Sequence, residues 1–150
     1  MQRILVVEHD RHVGLTLLDG LRSLPDCEVA IATNGDDALE LFEQRTFDLL
    51  ITDYKMPGTN GLALASRVQE LHPQTAVLMI TAHRDELLSR KYASGLIRFV
   101  LDKPVELERI RSVVLEALER SRLMAARQIL GPWVPSTRRA AEGSNVEGGE

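Results

Sequence analysis

Short, continuous apolar runs alternate along the chain with segments in which apolar residues recur every three or four positions. A continuous run is typical of a strand that is buried on both faces of a sheet, and the three-to-four spacing indicates an amphipathic helix. The predicted strands cover residues 4–7, 29–31, 49–52, 76–80 and 97–101. Because a predicted helix follows each strand, we expect an α/β fold with a doubly wound parallel sheet of five strands and five helices.

Capping and breaking residues set the expected helix boundaries. Asp10 is the candidate N-cap of the first helix, and Gly95 is the expected C-cap of a weaker fourth helix over residues 84–94. The final helix is the longest, because residues 106–130 contain neither Gly nor Pro. Its length predicts a helical extension beyond the globular domain.

The last twenty residues differ in composition from the rest of the chain. A Gly-Pro-Trp-Val-Pro segment follows residue 130, and residues 140–150 are rich in Gly, Glu, Ser and Asn. Such a composition cannot bury a core. We therefore predict a globular domain over residues 1–120, a helical extension over residues 121–130 and a disordered tail over residues 131–150.

Overall composition narrows the class of protein. A chain of 150 residues that is 44% hydrophobic can form one domain with a full core. The net charge of −4 predicts neither nucleic-acid binding nor a basic membrane-facing surface. Cys27 is the single cysteine, so no internal disulfide can form, and no apolar stretch has membrane-spanning length. These features favour a cytoplasmic protein.

Polar side chains follow four of the five predicted strands. Glu8 and His9 follow the first, Asp53 ends the third, Thr81 ends the fourth and Lys103 comes just after the fifth. The carboxyl ends of parallel strands meet at one edge of a sheet, where ligands of such folds bind. Asp53 alone could be a turn residue, but four strand ends together predict a site.

The residue types in this group suit phosphoryl chemistry. Carboxylates and a backbone carbonyl suit Mg²⁺, and a hydroxyl with an ammonium suits a phosphoryl group. An Asp carboxylate can also accept a phosphoryl group covalently. No separate nucleophile or general base follows the strands, which disfavours an independent enzyme such as a phosphatase.

From about Gln2 to Ala117 the chain resembles a bacterial response-regulator receiver domain. The matching segments are Ile4-Leu5-Val6-Val7-Glu8, Asp53 with Met56-Pro57 and Gly61, Thr81-Ala82, and Lys103-Pro104. The resemblance implies a flavodoxin-like, CheY-like sheet with the strand order 2-1-3-4-5. It also implies a signalling protein rather than a separate enzyme, one that supports its own phosphoryl transfer and dephosphorylation.

The resemblance assigns a role to each strand-end residue. Asp53 would accept a phosphoryl group from a sensor histidine kinase or a phosphotransfer protein. Thr81 would hydrogen-bond the phosphoryl oxygen, and Lys103 would pair with it. The Lys103–Pro104 bond would be cis, as is typical of the family.

The same resemblance places a Mg²⁺ site beside the phosphoacceptor. Glu8, Asp53 and the main-chain carbonyl of Lys55 would hold the ion. The family usually has a second acid after the first strand, where this chain has His9. A neutral imidazole removes one negative charge and offers nitrogen to an ion that prefers oxygen, so weakened Mg²⁺ binding is expected.

A second departure lies in the fifth strand. The family's switch aromatic usually lies three residues before the lysine, where this chain has Val100, with Phe99 beside it. Either a bulge moves Phe99 into the switch position, or the aromatic switch is absent.

The final helix also carries an approximate heptad seam. The seam consists of Leu115, Leu118, Arg122, Ala125 and Ile129. One interpretation is a homodimer or a docked partner along this helix, and the other is a solvated extension.

Two functions from different classes follow. The first is a phosphorylation-controlled receiver that signals to an unknown downstream protein through altered contacts, and Asp53, Thr81 and Lys103 favour it. The alternative is a phosphorylation-independent pseudo-receiver that acts as an interaction or dimerisation module, and His9 and Val100 favour that. DNA binding is disfavoured, because the residues after 120 cannot form a helix-turn-helix.

Overall fold

The computed structural model describes residues 1–90 and 93–130. Within these residues, parallel strands form one sheet of five with the order β2-β1-β3-β4-β5, which confirms the predicted topology. Each strand is a short run rich in branched apolar residues, which suit a pleated, buried position. The strands are β1 (Gln2–Val7), β2 (Cys27–Ala32), β3 (Leu49–Asp53), β4 (Ala76–Thr81) and β5 (Phe99–Asp102).

Helices connect the strands and cover both faces of the sheet. They are α1 (Arg11–Arg22), α2 (Gly35–Gln44), α3 (Gly61–Leu71), α4 (Arg84–Leu88), α5 (Ala93–Leu96) and α6 (Leu107–Leu130). Asp10, Asn34 and Asn60 cap the first three, because each side chain accepts hydrogen bonds from free amides of the first turn. The prediction for Asp10 is confirmed.

The predicted fourth helix is divided into two short segments, α4 and α5. Gly95 lies inside α5, so its prediction as a C-cap is wrong. The first segment ends at Leu88, and the hydroxyl of the C-cap residue Ser89 donates to the carbonyl oxygen of Glu86 at 2.7 Å. This local bond competes with continuation of the helix.

Alternate residues of each central strand enter two separate core layers. Ile4 and Val6 pack with α1 and α6, whereas Leu5 and Val7 pack with α2 and α3. All four side chains are at most 1% exposed, which confirms that β1 is buried on both faces. Burial of each such apolar side chain stabilises the fold by roughly 1.5–3 kcal/mol relative to an exposed one. Because a change of register would move these side chains to other positions, strand order and register are strongly specified.

α6 runs the full predicted length, but its heptad seam is not one exposed stripe. Leu118 is 2% exposed and lies in the core, while Leu115 is 48% exposed. The Gln2 side chain bonds the carbonyl oxygen of Leu118 at 3.1 Å and accepts a bond from Arg122 at 3.1 Å, which ties this part of α6 to β1. Ala125 and Ile129 belong to the part of α6 whose side chains lie outside the described residues.

The predicted disordered tail, residues 131–150, also lies outside the described residues. Among the helices within residues 1–90 and 93–130, none combines the length and apolar character that crossing a membrane requires.

Candidate functional site

Strand register brings the predicted site residues to one edge of the sheet. Val7 pairs with Thr52, Asp53 with Ile80, and Thr81 with Asp102. The residues that end these strands, or directly follow them, therefore come together: Glu8, His9, Asp53, Thr81 and Lys103.

Lys103 joins the two buried carboxylates of the site. Its ammonium nitrogen lies 2.7 Å from Asp53 Oδ2 and 3.5 Å from Glu8 Oε1. Asp53 is 5% exposed and Glu8 is 2% exposed. A carboxylate that is this deeply buried requires such a partner, because desolvation of an unpaired charge is costly.

The pKa values of Glu8 and Lys103 reflect this crowding. Desolvation raises the pKa of Glu8, and the nearby charge of Asp53 raises it further, against a hydrogen bond from the Asp10 amide that lowers it. Burial alone would lower the pKa of Lys103. The hydrogen bond and charge of Asp53, together with the charge of Glu8, outweigh that effect and raise it.

His9 completes a group that could hold a divalent cation. Its Nδ1 lies 3.5 Å from Glu8 Oε2 and 3.7 Å from Asp53 Oδ2. Among the described residues, these three side chains each offer one ligand atom, and the atoms all lie within 4.8 Å of one another. Two oxygens and one nitrogen fit a divalent cation. Asp10 does not join them, because its carboxylate caps α1.

Thr81 ends β4, and Lys55 lies in the loop after β3. Thr81 is 1% exposed, and its hydroxyl oxygen accepts a hydrogen bond from the amide of His83 at 2.7 Å. The hydroxyl proton therefore remains available to an acceptor at the sheet edge. Lys55 follows Asp53 by two residues in the loop after β3, and its carbonyl's role as a metal ligand stays a prediction. The Lys103–Pro104 peptide bond is cis.

Residues 4–115 match the model of the response regulator receiver domain family. The chain belongs to this family.

Similar proteins agree with this assignment. A response regulator receiver protein of Anaeromyxobacter sp. (strain Fw109-5) is 40% identical over 111 residues, 73% of this chain and 46% of that protein. The response regulator protein PilR of Pseudomonas aeruginosa is 35% identical over 118 residues, 78% of this chain and 26% of that protein. The chain thus spans about half of the first relative's length and about a quarter of the second's.

The fold agrees as well. The signal receiver domain of an HD domain-containing protein from Pseudomonas fluorescens Pf-5 superimposes with a TM-score of 0.77 and 26% identity. The match covers 84% of this chain and 93% of that one. The chain is thus a CheY-like receiver domain, the signalling module of two-component systems.

The structure decides whether Phe99 can take the position of the family's switch aromatic. Phe99 pairs with Leu78 in regular register and packs in the core layer of α1 and α6. The guanidinium carbon of Arg120 lies 5.5 Å from the centroid of the Phe99 ring. Val100 packs in the opposite layer. The interpretation that a bulge moves Phe99 into the switch position is therefore wrong, because successive residues of a regular strand point to opposite faces.

A polar network that sequence reasoning missed connects the loop after β3 to α4. The buried Tyr54 hydroxyl donates to Glu86 Oε2 at 3.3 Å and accepts from Arg90 Nε at 3.1 Å. Lys55 Nζ lies 3.0 Å from Glu86 Oε1, and this bond lowers the pKa of Glu86. The four-residue spacing of Glu86 and Arg90 was the available signal, but only tertiary packing brings Tyr54 between them.

Arg84, at the start of α4, holds the backbone of β5. Its Nη2 donates to the carbonyl oxygen of Val100 at 3.0 Å, and its Nε donates to Asp102 Oδ1 at 3.0 Å. These bonds connect α4 directly to the strand position where the family usually has its aromatic.

A groove with a volume of about 520 Å³ opens beside the site, between α1 and the segment that leads into α6. Glu8 and Lys103 form its polar end, and most of the remaining wall is apolar. The other lining residues are His12, Val13, Thr16, Leu17, Ile80, Pro104, Val105 and Leu107.

Proposed function

We propose that Asp53 accepts a phosphoryl group from a phosphohistidine on a sensor histidine kinase or a phosphotransfer protein. The observation that carries this proposal is the 2.7 Å contact between Lys103 Nζ and Asp53 Oδ2 at an edge that also presents Thr81. A buried carboxylate with one oxygen held by an ammonium keeps its second oxygen for attack.

In the proposed step, a carboxylate oxygen of Asp53 bonds to phosphorus while the phosphorus–nitrogen bond of the phosphohistidine breaks. The electron pair of that bond stays on the imidazole nitrogen. Lys103 pairs with the transferred group, and the Thr81 hydroxyl donates to one of its oxygens. Both groups act where charge accumulates on the phosphoryl oxygens.

Glu8, Asp53 and the main-chain carbonyl of Lys55 would hold Mg²⁺, with His9 beside them. A bound divalent cation neutralises charge on the transferring phosphoryl group. Glu8 and Asp53 supply two formal negative charges, and a neutral His9 adds none where a second acid would add a third. Affinity for a hard cation falls with ligand charge, so Mg²⁺ binding is proposed to be weakened.

The phosphorylated receiver is proposed to signal through altered contacts with a downstream protein. Lys103 would shift from Asp53 Oδ2 to the phosphoryl group, and the Thr81 hydroxyl would donate to that group. Thr81 contacts His83 directly before α4, and Tyr54 bonds Glu86 within it. Both connections lead to α4, which supports α4 as the surface that changes.

The proposed domain division places a receiver domain at residues 1–120 and an extension at residues 121–130 that mediates self-association or partner docking. Leu115 and Leu123 lie two turns apart on α6 and are 48% and 56% exposed. Two exposed leucines on one face of a helix support a homodimer through α6.

A phosphorylation-independent pseudo-receiver is the second candidate. Two observations favour it. His9 occupies a position where the family usually has an acid, and Val100 occupies the position where it usually has the switch aromatic. In that case the chain would present the same surfaces without accepting a phosphoryl group.

The test is intact-mass measurement after incubation with acetyl phosphate and either Mg²⁺ or Mn²⁺. Wild type should gain one phosphoryl mass, and Asp53→Asn should gain none. Asp102→Asn is the matched control, because it removes an exposed strand-end carboxylate, and it should react like wild type. A modified Asp53→Asn protein would exclude Asp53 as the acceptor, and an unmodified wild type with both cations would favour the pseudo-receiver.

A further inference from the structure

His9 is held by the backbone on both sides. The amide of the preceding residue, Glu8, donates to the carbonyl oxygen of Ala32 at 3.0 Å, and the next residue, Asp10, caps α1. The imidazole is 44% exposed, and its Nδ1 faces the carboxylates of Glu8 and Asp53. The end of β1 and the start of α1 thus fix the backbone of His9 so that its Nδ1 faces the site.

The distances at this nitrogen suit direct coordination. A cation that lies 2.0–2.2 Å from each ligand atom requires neighbouring ligand atoms roughly 3.0–3.5 Å apart. His9 Nδ1 lies 3.5 Å from Glu8 Oε2 and 3.7 Å from Asp53 Oδ2. A shift of a few tenths of an ångström by the exposed His9 imidazole would bring Nδ1 within this range of both carboxylate oxygens.

The charge of the site argues against a hard cation. Glu8 and Asp53 supply two negative charges, and the ammonium of Lys103 offsets one of them at 2.7 Å from Asp53. Purely electrostatic attraction for Mg²⁺ is therefore small. First-row transition cations gain additional bonding from an imidazole nitrogen, whereas Mg²⁺ prefers oxygen and gives up its water reluctantly.

We propose that His9 Nδ1 is a direct metal ligand and that it makes this site select nitrogen-accepting divalent cations, such as Co²⁺ and Zn²⁺, over Mg²⁺. The cation used for phosphoryl transfer would then be of this class, with Mn²⁺ intermediate. That consequence rests on the proposed phosphoacceptor function, but the metal selectivity itself does not.

The closing experiment measures binding of Mg²⁺ and Co²⁺ alone, by calorimetry, in wild type, His9→Asp and His12→Gln. Most sites bind Co²⁺ more tightly than Mg²⁺, so the informative quantity is the change in that ratio. His9→Asp should tighten Mg²⁺ and reduce the Co²⁺-to-Mg²⁺ affinity ratio by on the order of tenfold. His12→Gln removes an imidazole that lines the neighbouring groove and should leave the ratio unchanged.

A spectroscopic measurement identifies the ligand. Pulsed electron paramagnetic resonance of the Mn²⁺-loaded protein should show coupling to an imidazole nitrogen in wild type and His12→Gln, and none in His9→Asp. An unchanged affinity ratio in His9→Asp, or the absence of nitrogen coupling in wild type, would overturn the inference. If these metal results hold while Asp53 gains no phosphoryl group, the proposed function fails and the selectivity stands.

Discussion

Gly61 lies so close to the backbone carbonyl oxygen of Asp53 that there is no room for a side chain. A β-carbon at Gly61 would overlap that oxygen and would lie 2.8 Å from the sulfur of Met79. The Gly61 amide also donates to the carbonyl oxygen of Tyr54 at 2.7 Å. The first turn of α3 therefore supports the main chain at Asp53.

Gly61→Ala should destabilise the receiver by about 1–3 kcal/mol, because the added methyl group must displace backbone rather than a flexible side chain. The measurement is the urea unfolding midpoint. Gly95→Ala is the control, since a β-carbon there meets nothing within 4 Å, and it should be neutral or slightly stabilising. Equal stability of Gly61→Ala and wild type would contradict the close approach.

The raised pKa of Glu8 predicts a pH dependence of stability in the absence of divalent cations. Because the folded state holds the Glu8 proton more tightly than the unfolded state, this stabilisation is fully present below the ordinary pKa of 4.5 and is lost as pH rises through the raised value. Glu8→Gln, which is neutral throughout, avoids that loss.

The free energy of unfolding of Glu8→Gln should therefore improve relative to wild type as pH rises from about 4 towards 7. Urea titrations across this range provide the measurement. Glu40→Gln on the exposed face of α2 is the matched control and should show no such trend. If the difference in unfolding free energy between Glu8→Gln and wild type stayed constant across this pH range, burial would not raise the pKa of Glu8.

Tyr54→Phe should loosen α4 without disturbing the core. The ring is buried, so the substitution preserves its packing while removing the hydroxyl that bonds both Glu86 and Arg90. Amide hydrogen exchange should accelerate in α4 and stay unchanged in α2. Lys55→Met, which breaks only an exposed ion pair with Glu86, should have a smaller effect. Equal exchange rates in Tyr54→Phe and wild type would mean that the hydroxyl does not hold α4.

The exposed leucines of α6 provide a test of self-association. Sedimentation should show a concentration-dependent dimer for the full chain and a monomer for Leu115→Glu combined with Leu123→Glu. Truncation after Leu118 should also leave a folded monomer. Ser112→Glu, an exposed change on the same helix, should dimerise like wild type. If every variant sediments as the same monomer, α6 does not mediate self-association.

Sequence by itself determined the sheet and the residues at its edge. Continuous apolar runs have few ways to bury both faces, so strand order and the convergence of Asp53, Thr81 and Lys103 followed from pattern and resemblance. The N-cap role of Asp10 could also be predicted from the sequence, because capping depends on residues that are neighbours in the chain.

Only the tertiary structure decided how distant side chains meet. It placed Phe99 on the α6 side of the sheet, buried Leu118 under β1, and divided the fourth helix at Ser89. It also brought the Tyr54 hydroxyl between Glu86 and Arg90. Periodicity reports which face of an element is buried, whereas the partner across that face depends on the packing of elements far apart in sequence.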